Sequence, residues 1–531
     1  MIVQTKLGPI RGKECESLVN GKKFYSFLGI PYAKPPIGEL RFMPPVRAEG
    51  WLGIYDGTFD RDPCTQGETI TGTRFVGSED CLYLNIHTTE ISSTKLKPVM
   101  FYIHGGGYLQ GSGLSTYRGA DYLMHRDVIL VTINYRLNCL GFLNLGIPEC
   151  PGNVALKDQL MALKWVKNNI KEFGGDPDNI TLFGSSAGGA CVNFFLVSPL
   201  AKGLFQKAII QSGTALAVWA LTHRPTEIAF MLGRKLGYQG DDPRSLVQHL
   251  KTLPAVDLIR ASLAVFGGAT MKYPMTCFVP VFVPSVEKDA KNAFLPDYPE
   301  KLWPAAEPKL CMFGHNGLEA SIMWPIIPES ARKDAMKIFP HVLKNNFQVS
   351  NLDLDSVTEK IREFYGCTGD QSETEWQKML QFVSDVFDYR FHDSYVYLQQ
   401  AGIPPYVFFF SYYNPEAAAK SKGIRQRLAG SFHGEEEEFL FVQKYPPIPL
   451  RVKGDDLKVM NNICNLWTNF AKFGNPTEGM NNVDQWKPST TDSPHYLQID
   501  KDLKLIEGKL GSERSSFLAN VLDNAEIIDI L

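Results

Sequence analysis

No stretch of the sequence is apolar for long enough to cross a membrane, and no stripe of lysine and arginine could follow a phosphate backbone. With a net charge of −3 over 531 residues, nucleic acid is not an expected partner. Cysteine is scarce at ten residues, far from the density of a disulfide-built scaffold. None of the ten forms a C-x-x-C pair and no His-x-x-x-His spacing occurs, so the common signatures of a metal site are missing. Internal repeats and low-complexity segments are absent too. Met1–Lys6 has no secretory apolar core, and Ile527–Leu531 is not a retention signal. These last two absences predict a cytoplasmic protein, or a secreted one if a leader was trimmed. Cys139, Cys191, Cys311 and Cys464 sit in apolar runs, as buried thiols would. Cys64 and Cys81 bracket a loop and are the one pair to test for a bridge, but a reducing compartment predicts ten free thiols.

What is present is the composition of a large core, with 44% hydrophobic and 21% charged residues. Length alone suggests two to four domains, although large α/β enzymes keep one sheet and add insertions. Residues 2–11 and 23–30 read as short strands, and the alternation of Leu82, Leu84 and Ile86 marks another. Proline keeps Pro31–Phe42 irregular. Pro98–Ile103 and Asp127–Tyr135 are nearly unbroken apolar runs, as strands buried on both faces must be. Gly152–Phe173 carries helical periodicity and stops at Gly174-Gly175-Asp176-Pro177. Lys207–Gln211, Lys309–Phe313 and Tyr406–Phe410 add strands. Thr252–Leu263 and 455–473 add helices, and 330–402 is mostly helical. This alternation implies parallel pairing through right-handed crossovers, and so an open α/β sheet with mostly parallel strands.

The chain turns on Asn179–Gly189. There a β-prone run, Ile180–Phe183, meets Gly184-Ser185-Ser186-Ala187-Gly188, and a helix-like segment, Ala190–Val197, follows. Gly-x-Ser-x-Gly between a strand and a helix is a nucleophile elbow. The serine projects from a strained turn whose neighbours have no bulk, and the next amide, Ala187, points from a helix N-terminus at any oxyanion formed there. Taken alone, two glycines around a serine also describe an ordinary turn. Asn179-Ile180-Thr181 fits a glycosylation sequon, but it enters a buried strand and is expected to stay unmodified.

Three features occur together and in order: Glu79–Asn85, His104-Gly105-Gly106-Gly107, and the elbow at Ser186. With Gly29–Ala33, Gln211-Ser212-Gly213 and Gly474-Asn475-Pro476, the chain resembles the type-B carboxylesterases of the α/β-hydrolase fold, a family that includes the cholinesterases. Within it the chain is most similar to insect intracellular carboxylesterases. The resemblance covers nearly the whole chain and implies one domain, 1–531, with a large mostly parallel sheet flanked by helices. Helical insertions would form a gorge over the active site. It also implies a catalytic triad. Gly314–Glu319 resembles the acid loop and makes Glu319 the acid, and Gly430–Glu436 resembles the histidine loop and makes His433 the base. Ser186 would be the nucleophile, and the amides of Gly106, Gly107 and Ala187 the oxyanion hole. Trp219 resembles the acyl-side tryptophan. The chemistry needs this trio, because a serine hydroxyl is a poor nucleophile until a carboxylate-oriented base takes its proton.

The chain departs from the family pattern at Ala320 (usually glycine), Ser185 (usually glutamate) and Glu437 (commonly leucine or isoleucine). None removes a reacting group. Glu435–Glu438 reads by default as a solvated acidic run. The tryptophan that receives quaternary ammonium in cholinesterases is missing, since Cys64–Cys81 contains none, so cholinesterase activity is not expected. The resemblance implies a serine carboxylesterase for detoxification or ester metabolism, with no cofactor, small-molecule esters as substrates and organophosphates as covalent inhibitors. A slow-turnover scavenger and a catalytically silent binding module are the alternatives. The oligomeric state is left open.

Overall fold

The computed structural model describes residues 1–531 except 69–73, 92–93, 268–281, 289–291, 327–336, 349–353, 371, 389, 416–429, 523–525 and 528–531. Its centre is an eleven-stranded sheet. In chain order the strands are β1 (Lys13–Glu16), β2 (Lys23–Pro31), β3 (Tyr83–Thr88), β4 (Lys97–Ile103), β5 (Ile129–Ile133), β6 (Gly175–Ser185), β7 (Lys207–Gln211), β8 (Leu310–Asn316), β9 (Tyr406–Phe410), β10 (His495–Ile499) and β11 (Leu503–Glu507). Across the sheet they lie in the order β11-β10-β9-β8-β7-β6-β4-β5-β3-β2-β1. Pairing is parallel from β10 through to β5 and antiparallel at both margins.

The apolar runs explain the middle of the sheet. Val99–Ile103 and Ile129–Ile133 are buried throughout, as strands covered by helices on both faces must be. Flanking helices include α1 (Val154–Asn169), α2 (Ala187–Val197), α3 (Glu373–Phe387) and α4 (Gly454–Phe473). One core lies on the α1 and α2 side and a second under α4, where Met460, Ile463, Trp467 and Phe470 pack on Tyr102, Phe183 and Phe408. A third apolar cluster, around Trp376, Met379 and Phe382 of α3, belongs to the helical insertion.

The expected strands and helices are present with shifted ends. The region 2–11 is two strands, Ile2–Thr5 and Gly8–Arg11, in a separate small sheet, and the expected Thr252–Leu263 helix spans Ala255–Gly267. Within 330–402 the described residues are largely helical, with 330–336, 349–353, 371 and 389 outside them. β1, β10 and β11 are additions, and Pro225–Lys235 and Pro243–Lys251 are further helices ahead of Ala255–Gly267. Among the described residues no helix is long and apolar enough to cross a membrane.

Candidate active site

β6 delivers Ser186 into a turn with φ +61° and ψ −130°, and α2 starts at the next residue. This backbone conformation is strained for a residue with a Cβ, and it is held by the Ser186 N–H donating to the Gln211 carbonyl at 2.8 Å. The turn is pressed against β4. A Cβ on Gly188 would lie 2.1 Å from the Ile103 carbonyl oxygen, and one on Gly184 2.6 Å from the same atom. Only glycine fits at either position. Ser186 keeps part of its surface open, whereas Ala187 behind it is fully buried. The first amides of α2 have no partner inside their own helix and sit at its positive end.

Glu319 and His433, the expected acid and base, lie just past the carboxyl end of β8 and on the loop beyond β9. His433 Nδ1 meets Glu319 Oε2 at 2.6 Å, and the His433 amide donates to the Glu319 carbonyl at 3.2 Å. The other oxygen of Glu319 accepts the Asn316 amide at 2.7 Å. Burial pulls the His433 imidazole down, but the carboxylates of Glu319, Glu436 and Glu437 outweigh it, and its pKa lies above the usual histidine value. Burial pushes the Glu319 carboxyl up, and the opposing pull of His433 leaves it lowered. The Phe387 ring stands edge-on to His433 at 5.0 Å and stacks on Trp219 at 5.1 Å. Trp219 is buried behind this contact.

Ser186, His433 and Gly105–Gly107 line one cavity of about 440 Å³. Gly106 has φ +113°, a conformation that excludes side chains, and its carbonyl accepts the amides of Leu109 and Gln110 at 3.0 and 3.1 Å. Before it, His104 stacks on Tyr135 at 4.3 Å, and the Tyr135 hydroxyl donates to the His104 carbonyl at 2.7 Å. Burial takes the His104 imidazole down to about 3, so it is a neutral strut.

The expectation of ten free thiols is corrected. Cys64 and Cys81 are joined by a disulfide, their Cα atoms 4.9 Å apart and within bridging reach. Loop-bracketing positions show in a sequence, but the distance that decides pairing does not. Seven cysteines are free, and Cys277 lies outside the described residues. Beside the bridge, Gln66 donates to the Cys64 and Gly111 carbonyls, both at 2.9 Å, and accepts the Gly111 amide at 2.7 Å. The disulfide loop is thereby stitched to the glycine loop.

The acidic run is also corrected. Glu435, Glu436 and Glu438 are buried and Glu437 nearly so, because each carboxylate has a donor. Glu435 accepts the Phe432 amide, Glu437 takes the Tyr102 hydroxyl and Arg118, and Glu438 pairs with Arg451. Glu436 is central. One of its oxygens accepts Gln211 Nε2 at 2.8 Å and Ser185 Oγ at 3.2 Å, and the other accepts Asn316 Nδ2 at 2.6 Å. It thus ties the elbow, β7, the acid loop and the histidine loop together. Burial pushes its carboxyl up to about 7, restrained by the Asn316 and Gln211 amides. The donors that reverse the solvated reading are up to 335 residues away in sequence, as for Tyr102 and Glu437. The local hints were two departures from the family pattern, Glu437 at a position that is commonly apolar and the small Ser185 in place of a glutamate.

His315, Glu319 and Asp388 are the described residues whose ligand-type atoms cluster, within 4.8 Å of one another. Glu319 is engaged with His433 and Asn316, and His315 Nδ1 lies 3.4 Å from Asp388 and 2.9 Å from the Asn316 carbonyl. This arrangement is an internal network that buttresses Glu319.

A model described as the carboxylesterase family matches residues 1–518. The chain is 34% identical to esterase FE4 of Myzus persicae, over 94% of this chain and 88% of that protein. To juvenile hormone esterase of Tribolium castaneum it is 31% identical, over 99% and 92%. The crystal structure of juvenile hormone esterase from Manduca sexta, with OTFP covalently attached, superposes with a TM-score of 0.83 at 27% identity, covering 98% of this chain and 99% of that one.

Proposed function

The chain belongs to the carboxylesterase family and is a carboxylic ester hydrolase, and we propose that it acts through an acyl-enzyme on Ser186. The observation that carries this is the 2.6 Å contact of His433 Nδ1 with Glu319, in a cavity that Ser186 also lines. Glu319 fixes the tautomer that leaves Nε2 free to take a proton. Ser186 Oγ then attacks the ester carbonyl as His433 takes its proton, and the amides of Gly106, Gly107 and Ala187 receive the oxyanion. His433 returns the proton to the departing alcohol. Water, activated by the same imidazole, releases the acid and restores Ser186. Losing one oxyanion donor costs roughly 10²–10³-fold in rate in such sites. Every step is served by protein groups.

In this reading organophosphates phosphorylate Ser186, and Trp219, stacked on Phe387 beside the base, bounds the acyl side. The physiological role is detoxification or ester metabolism. A scavenger would show a full burst and a negligible steady state on nitrophenyl esters. For the compartment, the Cys64–Cys81 bridge favours oxidising surroundings over the cytoplasm, since disulfides persist there. The test is Ser186→Ala, which removes one small hydroxyl and should abolish turnover while leaving the folded protein intact. A diethyl phosphoryl probe should label Ser186 in the unaltered protein. Label on another serine, or full activity in the variant, refutes the assignment.

A further inference from the structure

We propose that Arg118 and Glu437 form a polar subsite selecting esters whose alcohol half carries free hydroxyl groups. The proposal rests on the acyl-enzyme reading and deepens it. Both residues line the same cavity as Ser186 and His433. Arg118 Nη2 lies 3.1 Å from Glu437 Oε2, and their side chains are 17% and 14% exposed, so each keeps an open edge. The pair is anchored from behind. Tyr102 on β4 donates its hydroxyl to Glu437, and the Arg118 guanidinium lies 5.5 Å from the Tyr102 ring centre and 5.7 Å from that of Phe441. It is a fixed surface rather than two mobile side chains.

The position of the pair decides which half of the ester it meets. The departing oxygen must take its proton from His433, so the alcohol lies along the histidine loop, and Glu437 sits on the turn Glu435–Phe439 of that loop. The charge decides what kind of alcohol. A cationic group would be repelled by Arg118 and a carboxylate by Glu437. An alkyl chain would cover both open edges and return nothing for the water it displaced. A hydroxyl can donate to the carboxylate and accept from the guanidinium at once. An ion pair is also a poor choice for packing alone, since apolar replacements of such pairs are often as stable or more so.

The experiment compares two esters of butyric acid with alcohols of equal heavy-atom count, the glycerol monoester and pentyl butyrate. Initial rates are followed by proton release and normalised to each ester's hydroxide-catalysed rate, and active sites are counted by the p-nitrophenol burst. The purified protein should favour the glycerol ester by about ten-fold or more in kcat/KM, as expected where an alkyl analogue leaves polar groups uncovered. In Arg118→Met/Glu437→Leu the ratio should fall to one or below, and in Glu437→Gln it should lie between. The ratio is internal to each protein, so a loss of overall rate does not disturb it. A ratio near one in the unaltered protein overturns the subsite without any variant being needed. A burst with neither ester cleaved also overturns it but leaves the acyl-enzyme reading standing. No burst and no cleavage of either ester refutes both.

Discussion

Glu436→Gln probes how the site is held together. The substitution keeps size and shape but turns one acceptor oxygen into an amide that donates. At this position every neighbour is a donor: Gln211 Nε2, Ser185 Oγ and Asn316 Nδ2. The Ser185 hydroxyl can turn away, but the side-chain amides of Gln211 and Asn316 address opposite oxygens. Whichever way the new amide is oriented, one of them faces another donor in a buried site. A buried donor left without its acceptor costs about 1–3 kcal/mol. With an unfolding entropy of about 2 cal/mol/K per residue over a chain of this size, the midpoint of a cooperative transition should fall by only about 1–3 °C. Urea midpoints are therefore the better stability readout.

The catalytic readout is separate and runs through charge. Glu436 is one of the carboxylates that hold the His433 pKa up, and with its own carboxyl pushed to about 7 it carries part of its charge across the acid limb of kcat/KM, so removing that charge should move the limb to lower pH. The direction follows from the proposed role of His433 as a neutral base, since a weaker anionic surrounding lets it lose its proton at lower pH. Asn316 also carries the amide that holds Glu319, so kcat should fall as well. A variant with unchanged urea midpoint and unchanged acid limb would refute the role given to Glu436.

For the unaltered protein, kcat/KM should rise with pH through one ionisation above the usual histidine value of about 6.5, and a flat profile from pH 5 to 9 would exclude His433 as base. Glu319→Gln should lower most of the rate and move that limb down, since the imidazolium loses its partner. Thiol titration of the denatured, unreduced protein should fall two short of the ten cysteines, and a full count would remove the bridge. Gly107→Asp places a carboxylate beside the developing oxyanion, at a φ of +62° that aspartate tolerates better than most residues. It should slow carboxylic ester turnover and speed recovery after organophosphate treatment by offering phosphorus a second base. Unchanged ester turnover would take Gly107 out of the oxyanion loop.

The middle of the sheet was legible because strands buried on both faces must be written as apolar runs, as in Val99–Ile103. The margins were not. His495–Ile499 and Leu503–Glu507 mix exposed and buried positions and resemble loop sequence. The elbow showed as glycines around a serine between a β-prone run and a helix-like segment, and the fold supplies the reason for them, since a Cβ on Gly184 or Gly188 has no room against Ile103. Glu319 and His433 needed the family resemblance, because 114 residues separate them and neither sequence neighbourhood specifies the other. The acidic run was misread for the same reason. A row of four glutamates looks solvated until Tyr102, Arg118, Gln211, Asn316 and Arg451 are brought to it by the fold.

The strand order has a consequence for how the activity comes into being. In the proposed reaction the nucleophile follows β6, the acid follows β8, and the base follows β9, whereas the helix that covers the back of these strands, α4, begins only at Gly454. During synthesis the elbow emerges some 250 residues before the histidine proposed to activate it, so the nascent chain would carry an idle serine for nearly half of its translation. Parallel pairings of such long sequence separation form late and slowly. Hydrolytic competence is therefore a readout of completed folding, and the first ester cleaved by a refolding sample reports that the far half of the sheet has docked.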